Sequence, residues 1–170
     1  MNKWIDVFPT LKMEKNLHDL FLEVEVEKIV ATSDKTSLKI FIKSTHLIPK
    51  KSVIHMETLI KNQLFANTLV NVQINETFHL SKQYTPEHLL KEYKESILYE
   101  LKSRSVVEYN IFKKAVYRFE NDAVLCLEIE DTVIAQGKKE QVLQYLKEIF
   151  AVRCMMPIEV QIVYKEKKRT

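Results

Sequence analysis

The segment FLEVEVEKIVATSDKTSLKIFIKS, residues 21–44, alternates apolar and polar residues, turns, and then alternates again. Alternation from one residue to the next is typical of a β-strand with one buried face. The polar run Thr32–Lys35 supplies turn-forming residues between the two alternating stretches. The segment therefore predicts a β-hairpin, with a bulge near Lys28 because the alternation loses its phase there.

The polar face of this predicted hairpin carries both signs of charge. It comprises carboxylates on the first strand and lysines around an aromatic ring on the second, namely Glu23, Glu25, Glu27, Lys39, Phe41 and Lys43. Opposite charges on neighbouring strands suit cross-strand pairs on a solvated face. An exposed aromatic ring between lysines is also able to stack a nucleic-acid base. Both interpretations stay open, and the glutamates favour the solvated face because they repel phosphate.

The rest of the chain predicts a helix before this hairpin and a second copy of the same pattern after it. The predicted elements are a short helix opening at Pro9, a helix over 49–65, a strand over 70–75, a helix over 86–103, a hairpin over 115–130, a helix over 138–152 and a strand from Pro157. Gly137 is expected to adopt a left-handed backbone just before the last helix. Recurrence of elements in a fixed order is what a duplicated module leaves behind.

These elements predict an α+β fold made of two tandem modules, residues 1–80 and 81–170. Each module has the order helix, strand, strand, helix, strand, and each is expected to form a three-stranded sheet. One helix covers one face of such a sheet and leaves the other face in water. The charged segment 164–170 is expected to begin a linker to domains further along a longer chain.

No catalytic constellation is visible in the sequence. The single glycine excludes the phosphate-binding loop, the dinucleotide fingerprint, the nucleophile elbow and the GxxG loop of KH domains, since each needs more than one glycine. No pair among the five histidines has the spacing that places two imidazoles on one helical face for zinc. We therefore expect no catalytic residue, no metal site, no cofactor and no small-molecule substrate in these residues.

Charge and hydropathy point to a protein of the cytoplasm without a membrane partner. There is no apolar run near the roughly 20 residues of a membrane helix, and the first residues lack the pattern of a signal peptide. Cys126 and Cys154 are therefore expected to be reduced thiols within the core. A net charge of +3 does not by itself predict nucleic-acid binding, which needs basic residues clustered on one face.

Basic residues near each predicted hairpin are the candidates for contact with nucleic acid or a protein partner. In the first module they are Lys39 and Lys43, which flank Phe41. In the second module, Lys113, Lys114 and Arg118 lie at the start of the second hairpin. A stand-alone module that binds single-stranded nucleic acid is thus one functional hypothesis for the chain.

Several segments resemble the N-terminal region of PolC-type DNA polymerase III α subunits, found in Gram-positive-type bacteria. They are FLEVEVEKIV, LKIFIKSTHLIP, a helix ending in IKNQLF, VNVQI, YTPEHLLKEYKESILYELKSRS and PIEVQIVYKEKKRT. The resemblance extends over roughly residues 20–170 and rests on hydrophobic spacing, a Leu-Ile-Pro before a helix and a tyrosine-containing helix between the modules. None of these features is a catalytic signature.

This resemblance implies a function for the chain. The parent would be a replicative DNA polymerase with 3′–5′ exonuclease activity, whose active sites lie downstream of these residues. The first module would have a truncated KH-like fold related to a domain of the clamp-loader τ subunit. The region itself would be non-catalytic and would contact other replisome proteins or single-stranded DNA.

Overall fold

The computed structural model describes residues 2–165. These residues form two compact units, of which unit 1 ends at Ser81 and unit 2 begins at Lys82. Each unit combines helices with one sheet, so the predicted α+β class is confirmed.

Unit 1 contains the hairpin that the sequence predicts. Its elements are β1 (Asn2–Lys3), α1 (Trp4–Val7), α2 (Lys15–Phe21), β2 (Glu25–Ala31), β3 (Ser37–Ser44), α3 (Lys50–Leu64) and β4 (Asn71–Phe78). The strands lie in the order β1-β2-β3-β4. β2 pairs with β3 in antiparallel fashion, and the register shifts between Val26 and Lys28, where the bulge was predicted. β4 pairs with β3 in parallel, because α3 carries the chain back along the sheet.

The N-terminal residues differ from the prediction. β1 pairs with β2, so the sheet of unit 1 has four strands and not three. Trp4 is fully buried, and its ring centroid lies 4.6 Å from that of Phe8 and 4.9 Å from that of Phe21. Pro9 lies in the turn after α1 and does not open a helix. A strand of two residues has no periodicity that a sequence pattern could reveal.

The helix α3 covers the inner face of this sheet. Val53, Met56 and Ile60 are fully buried and follow the spacing of one helical stripe. The helix lies against β4, where a Glu57 carboxylate oxygen accepts the backbone N–H of Ile74 at 2.6 Å. Because side chains alternate along a strand, the residues between the buried ones point to the opposite face, which we call the outer face.

Unit 2 repeats the strand order and directions of β2, β3 and β4. Its elements are α4 (Pro86–Arg104), α5 (Val106–Lys114), β5 (Val116–Asn121), β6 (Val124–Glu130), α6 (Val133–Glu148), a π-helical turn (Ile149–Arg153) and β7 (Glu159–Lys165). β5 and β6 are antiparallel, β6 and β7 are parallel, and β6 is central. The side-chain oxygen of Asn121 accepts the N–H of Ala123 at 2.8 Å and so closes the hairpin turn.

The helix α6 begins earlier than the predicted Lys138. Thr132 caps it, and its hydroxyl accepts the N–H of Ala135 at 3.0 Å. Gly137 lies inside this helix and has no positive φ, so the left-handed backbone predicted for it is wrong. The first turn of α6 was not predicted because Val133 and Ile134 are exposed and do not continue the buried apolar stripe of the helix.

The predicted linker starts inside a strand. Tyr164 and Lys165 belong to β7, and the remaining residues of that prediction, 166–170, lie outside the described residues. Among the helices of residues 2–165, none is long and apolar enough to cross a membrane.

Candidate recognition surfaces

The first set of predicted site residues lies together on the outer face of unit 1. Lys39, Phe41 and Lys43 alternate along β3 with Ile40 and Ile42, which are fully buried. Lys39 is exposed, whereas Phe41 and Lys43 are half-buried. The alternation predicted from the sequence thus holds over the whole of β3.

The bulge in β2 brings a further lysine to this face. Lys28 lies opposite Phe41 in the register, and Glu25 lies opposite Lys43. The Lys28 ammonium is 4.6 Å from the centroid of the Phe41 ring, which is a cation–π contact. Sequence reasoning used Lys28 only to place the bulge, because the direction of a side chain beside a bulge depends on the register across the strands.

The three glutamates predicted for this face alternate with Val24 and Val26, which are buried. Glu23 precedes β2 and pairs with Lys3 at 3.4 Å, both side chains being exposed. Glu27 lies at the bulge and has no partner in the register of β2 with β3. Glu25 is aligned with Lys43, and Glu27 is next to Lys28 in β2, so this face carries both signs of charge.

The strand β4 supplies neutral polar side chains on the other side of β3. Gln73, Asn75 and Thr77 lie beside Lys39, Phe41 and Lys43, respectively, in the parallel register. The Gln73 amide donates to the Asn75 side-chain oxygen at 3.3 Å. The outer face therefore carries lysines, carboxylates and amides around the Phe41 ring.

The second set of predicted site residues is not arranged in this way. Lys113 stacks on the ring of Tyr109, with its ammonium 5.5 Å from the centroid. Lys114 lies at the end of α5, where its carbonyl oxygen accepts from Lys165 Nζ at 3.4 Å. Arg118 lies on β5 and pairs with Glu120 at 3.7 Å on the exposed surface. These three cations thus have separate surroundings.

A groove in unit 2 was not predicted. It has a volume of about 310 Å³ and lies between α5 and the first turn of α6. Its lining includes Val107, Ile111 and Ile134, and Ile134 is 65% exposed although it is apolar. Lys114 and Glu130 supply charge at the lining. Contiguous apolar side chains exposed in this way mark surfaces that contact other molecules.

A half-buried polar cluster lies elsewhere in unit 2. Arg153, at the end of the π-helical turn, donates to both Glu100 carboxylate oxygens at 3.1 and 3.2 Å and to the Tyr93 hydroxyl at 3.2 Å. The Tyr145 hydroxyl also donates to Glu100. Burial, and then the negative charge of Glu100, raise the pKa of Tyr145. The members of this polar cluster are far apart in sequence, so no local sequence pattern could have predicted it.

The two cysteines and the possible metal ligands are also candidate reactive groups in the described part of the chain. Cys126 and Cys154 are both free thiols and both buried. Within residues 2–165, no group of three histidine, cysteine, aspartate or glutamate side chains is placed to hold a metal ion.

The two units define a class of protein, that of small α+β modules in which helices cover one side of a sheet and a parallel strand follows an antiparallel hairpin. Residues 6–74, which include most of unit 1 and less than half of the chain, match the family described as DNA polymerase III polC-type N-terminus I. Over these residues the resemblance to the N-terminal region of PolC-type polymerases is confirmed. No curated protein matched the chain.

Proposed function

We propose that this chain is a non-catalytic interaction region at the N-terminus of a PolC-type DNA polymerase III α subunit. The observation that carries this proposal is the family match over residues 6–74. The parent protein would carry its polymerase and 3′–5′ exonuclease centres downstream and would act in the cytoplasm. We extend the proposal to unit 2 because its strands have the same order and directions as β2, β3 and β4 of unit 1.

The finer form of this proposal assigns a truncated KH-like shape to unit 1. The succession α2, β2, β3, α3, β4 is the order expected for such a module. The chain has one glycine, at position 137 in unit 2, so unit 1 lacks the glycine-rich loop with which KH domains grip RNA. A module of this shape would act through its outer face or its helices.

The groove between α5 and α6 supports contact with another replisome protein. Val133 is 86% exposed, and the neighbouring Ile134 lines the groove. Burial of such side chains against a partner is favourable by about 25 cal/mol per Å² of apolar surface. A groove with apolar walls and charged residues at its edge has the composition of a protein-binding site, with an apolar centre and a polar rim.

Site-specific photo-crosslinking in living cells tests this proposal. A photoreactive amino acid replaces Ile134 in the natural full-length protein, and the adducts are identified by mass spectrometry. The matched control carries the same amino acid at Leu69 of unit 1, which is 90% exposed and lies outside the groove. We expect adducts with DNA replication proteins from position 134 and none of these from position 69. No adduct at position 134, or adducts only with proteins of other processes, would contradict the proposal.

A further inference from the structure

The outer face of unit 1 places lysines around an aromatic ring. Lys28, Lys39 and Lys43 contribute three positive charges to the paired region of β2 and β3, which also contains Glu25 opposite Lys43 and Glu27 at the bulge. The neighbouring strand β4 adds only neutral polar groups at the aligned positions. The position of these lysines around the Phe41 ring matters more than the small net charge of the chain, since a phosphate backbone responds to clustered cations.

The spacing of the cations fits a single polynucleotide strand. Lys39 and Lys43 are four residues apart on β3, which is about 13 Å along a strand, and Phe41 lies midway. A base stacked on the Phe41 ring would therefore have a lysine on each side within reach of its flanking phosphates. Base pairs of a duplex do not offer a free base for such stacking, whereas single strands do.

The Lys28–Phe41 contact indicates how the ring can receive a base. The ammonium already interacts with the ring at 4.6 Å, so the ring is accessible to a polar partner. A base that replaces the ammonium on the ring gains the stacking contact, and Lys28 remains on the same face to pair with a phosphate. The amide groups of Gln73 and Asn75 lie beside Lys39 and Phe41 in the register and offer hydrogen bonds to base edges.

We propose that the outer face of unit 1 binds single-stranded nucleic acid, with a base stacked on Phe41 and phosphates on Lys28, Lys39 and Lys43. This inference adds a ligand to the proposed function and rests on it only for the biological setting. DNA and RNA share the chemistry that the face recognises, and the experiment separates them. An acidic protein segment would form ion pairs with the lysines but would have no planar base to stack on the Phe41 ring.

Fluorescence anisotropy measures this binding with the whole chain and labelled single strands. The probes are short oligothymidylate and oligouridylate, and a DNA duplex and polyglutamate serve as competitors. Removing the stacking partner in Phe41→Leu is expected to weaken binding by about five- to hundredfold. Lys39→Gln is expected to reduce the slope of log affinity against log salt by about 0.7, as the loss of one phosphate contact predicts for single strands.

The matched control for charge is Lys51→Gln, because Lys51 is exposed on α3 and not on the outer face. This variant should leave both affinity and salt slope close to those of the unchanged chain. Circular dichroism melting shows whether Phe41→Leu folds, and Lys39→Gln gives an independent result from an exposed position. Stronger binding of oligothymidylate than of oligouridylate identifies DNA as the ligand, and the reverse order identifies RNA.

Three results would overturn the proposal. They are equal effects of Lys39→Gln and Lys51→Gln, an unchanged affinity in folded Phe41→Leu, and equal competition by duplex or polyglutamate. Each would show that the chain binds polyanions without using the outer face or its ring. Such a failure, with crosslinks from position 134 to replication proteins intact, would reject the nucleic-acid contact and leave the proposed function standing.

Discussion

Asp34 holds the turn between β2 and β3 through hydrogen bonds to its carboxylate. The hydroxyls of Thr32 and Thr36 donate to it at 2.5 and 2.8 Å, and the Thr36 backbone N–H donates at 3.1 Å. The Thr32 bond, followed by those of Thr36, lowers the pKa of Asp34 below its ordinary value. The next residue, Lys35, has a φ of 59°, in the left-handed region that such turns require.

The pKa of Asp34 gives a prediction for the dependence of hairpin stability on pH. Because folding lowers this pKa, ionised Asp34 stabilises the folded hairpin above the unfolded-state pKa. That contribution is lost as the pH falls through the folded-state pKa. Carbon-detected NMR titration should show a midpoint below the ordinary value for aspartate, and Thr32→Val should raise it. Thr45→Val, at an exposed threonine outside the turn, is the control, and the same midpoint in all three proteins would refute the assignment.

Glu100 is the centre of the polar cluster in unit 2. Its side chain is 12% exposed and that of Arg153 is 16% exposed, so each group depends on the other for its charge balance. We expect Glu100→Gln to lower the free energy of unfolding of unit 2 by about 2–4 kcal/mol, near the range for breaking a buried pair. Amide hydrogen exchange of α4 measures the loss. Glu95→Gln, at an exposed position of the same helix, should cost less than about 0.5 kcal/mol. Equal costs would contradict the role of Glu100.

At the scale of the element, a buried ion pair connects α3 to the sheet. Lys50 Nζ lies 3.2 Å from both carboxylate oxygens of Glu76, and the two side chains are 10% and 3% exposed. Glu76 lies beside Ile42 in the register of β3 and β4, so it is on the inner face under the helix. The pair therefore sets where the first turn of α3 meets β4.

Breaking this pair from one side should be costly, whereas replacing both partners should not. Glu76→Leu alone is expected to cost about 3–5 kcal/mol, because the Lys50 ammonium stays buried without its carboxylate. The double variant Lys50→Met with Glu76→Leu should recover most of this loss. Urea unfolding followed by Trp4 fluorescence reports on unit 1 alone, since the chain has one tryptophan. A double variant as unstable as Glu76→Leu would contradict this account.

The elements show which structural features the sequence can predict. The first hairpin was predictable because β3 and the start of β2 alternate between buried apolar and more exposed side chains, and period-two alternation follows directly from that arrangement. The start of α6 was not, because Val133 and Ile134 are apolar yet exposed and do not extend the buried stripe. Apolar periodicity reports burial in the core, so a surface built from exposed apolar residues is invisible to it.

The candidate site was predictable only in part for a related reason. The residues Lys39, Phe41 and Lys43 share one strand, and their common face follows from alternation. The contribution of Lys28 depends on the bulge and on cross-strand register, which a single strand pattern does not determine. The same bulge leaves Glu27 without a partner in the register, which the strand pattern alone does not show.

At the scale of the whole molecule, the same strand arrangement occurs twice with different surfaces. Unit 1 presents an outer face with lysines around an aromatic ring, and unit 2 presents an apolar groove. The family match ends at residue 74, within β4, so similarity to the PolC-type N-terminus concerns unit 1. The proposed role assigns a nucleic-acid contact to one unit and a protein contact to the other.

The central proposal is that these residues form the N-terminal region of a replicative polymerase, and immunoprecipitation tests it most directly. An antibody raised against residues 1–170 is used on extracts of the native cells, and the precipitate is assayed for primer extension and 3′–5′ exonuclease activity. The account predicts one chain far larger than 170 residues that carries both activities. A precipitated chain of only 170 residues, with neither activity, would contradict it.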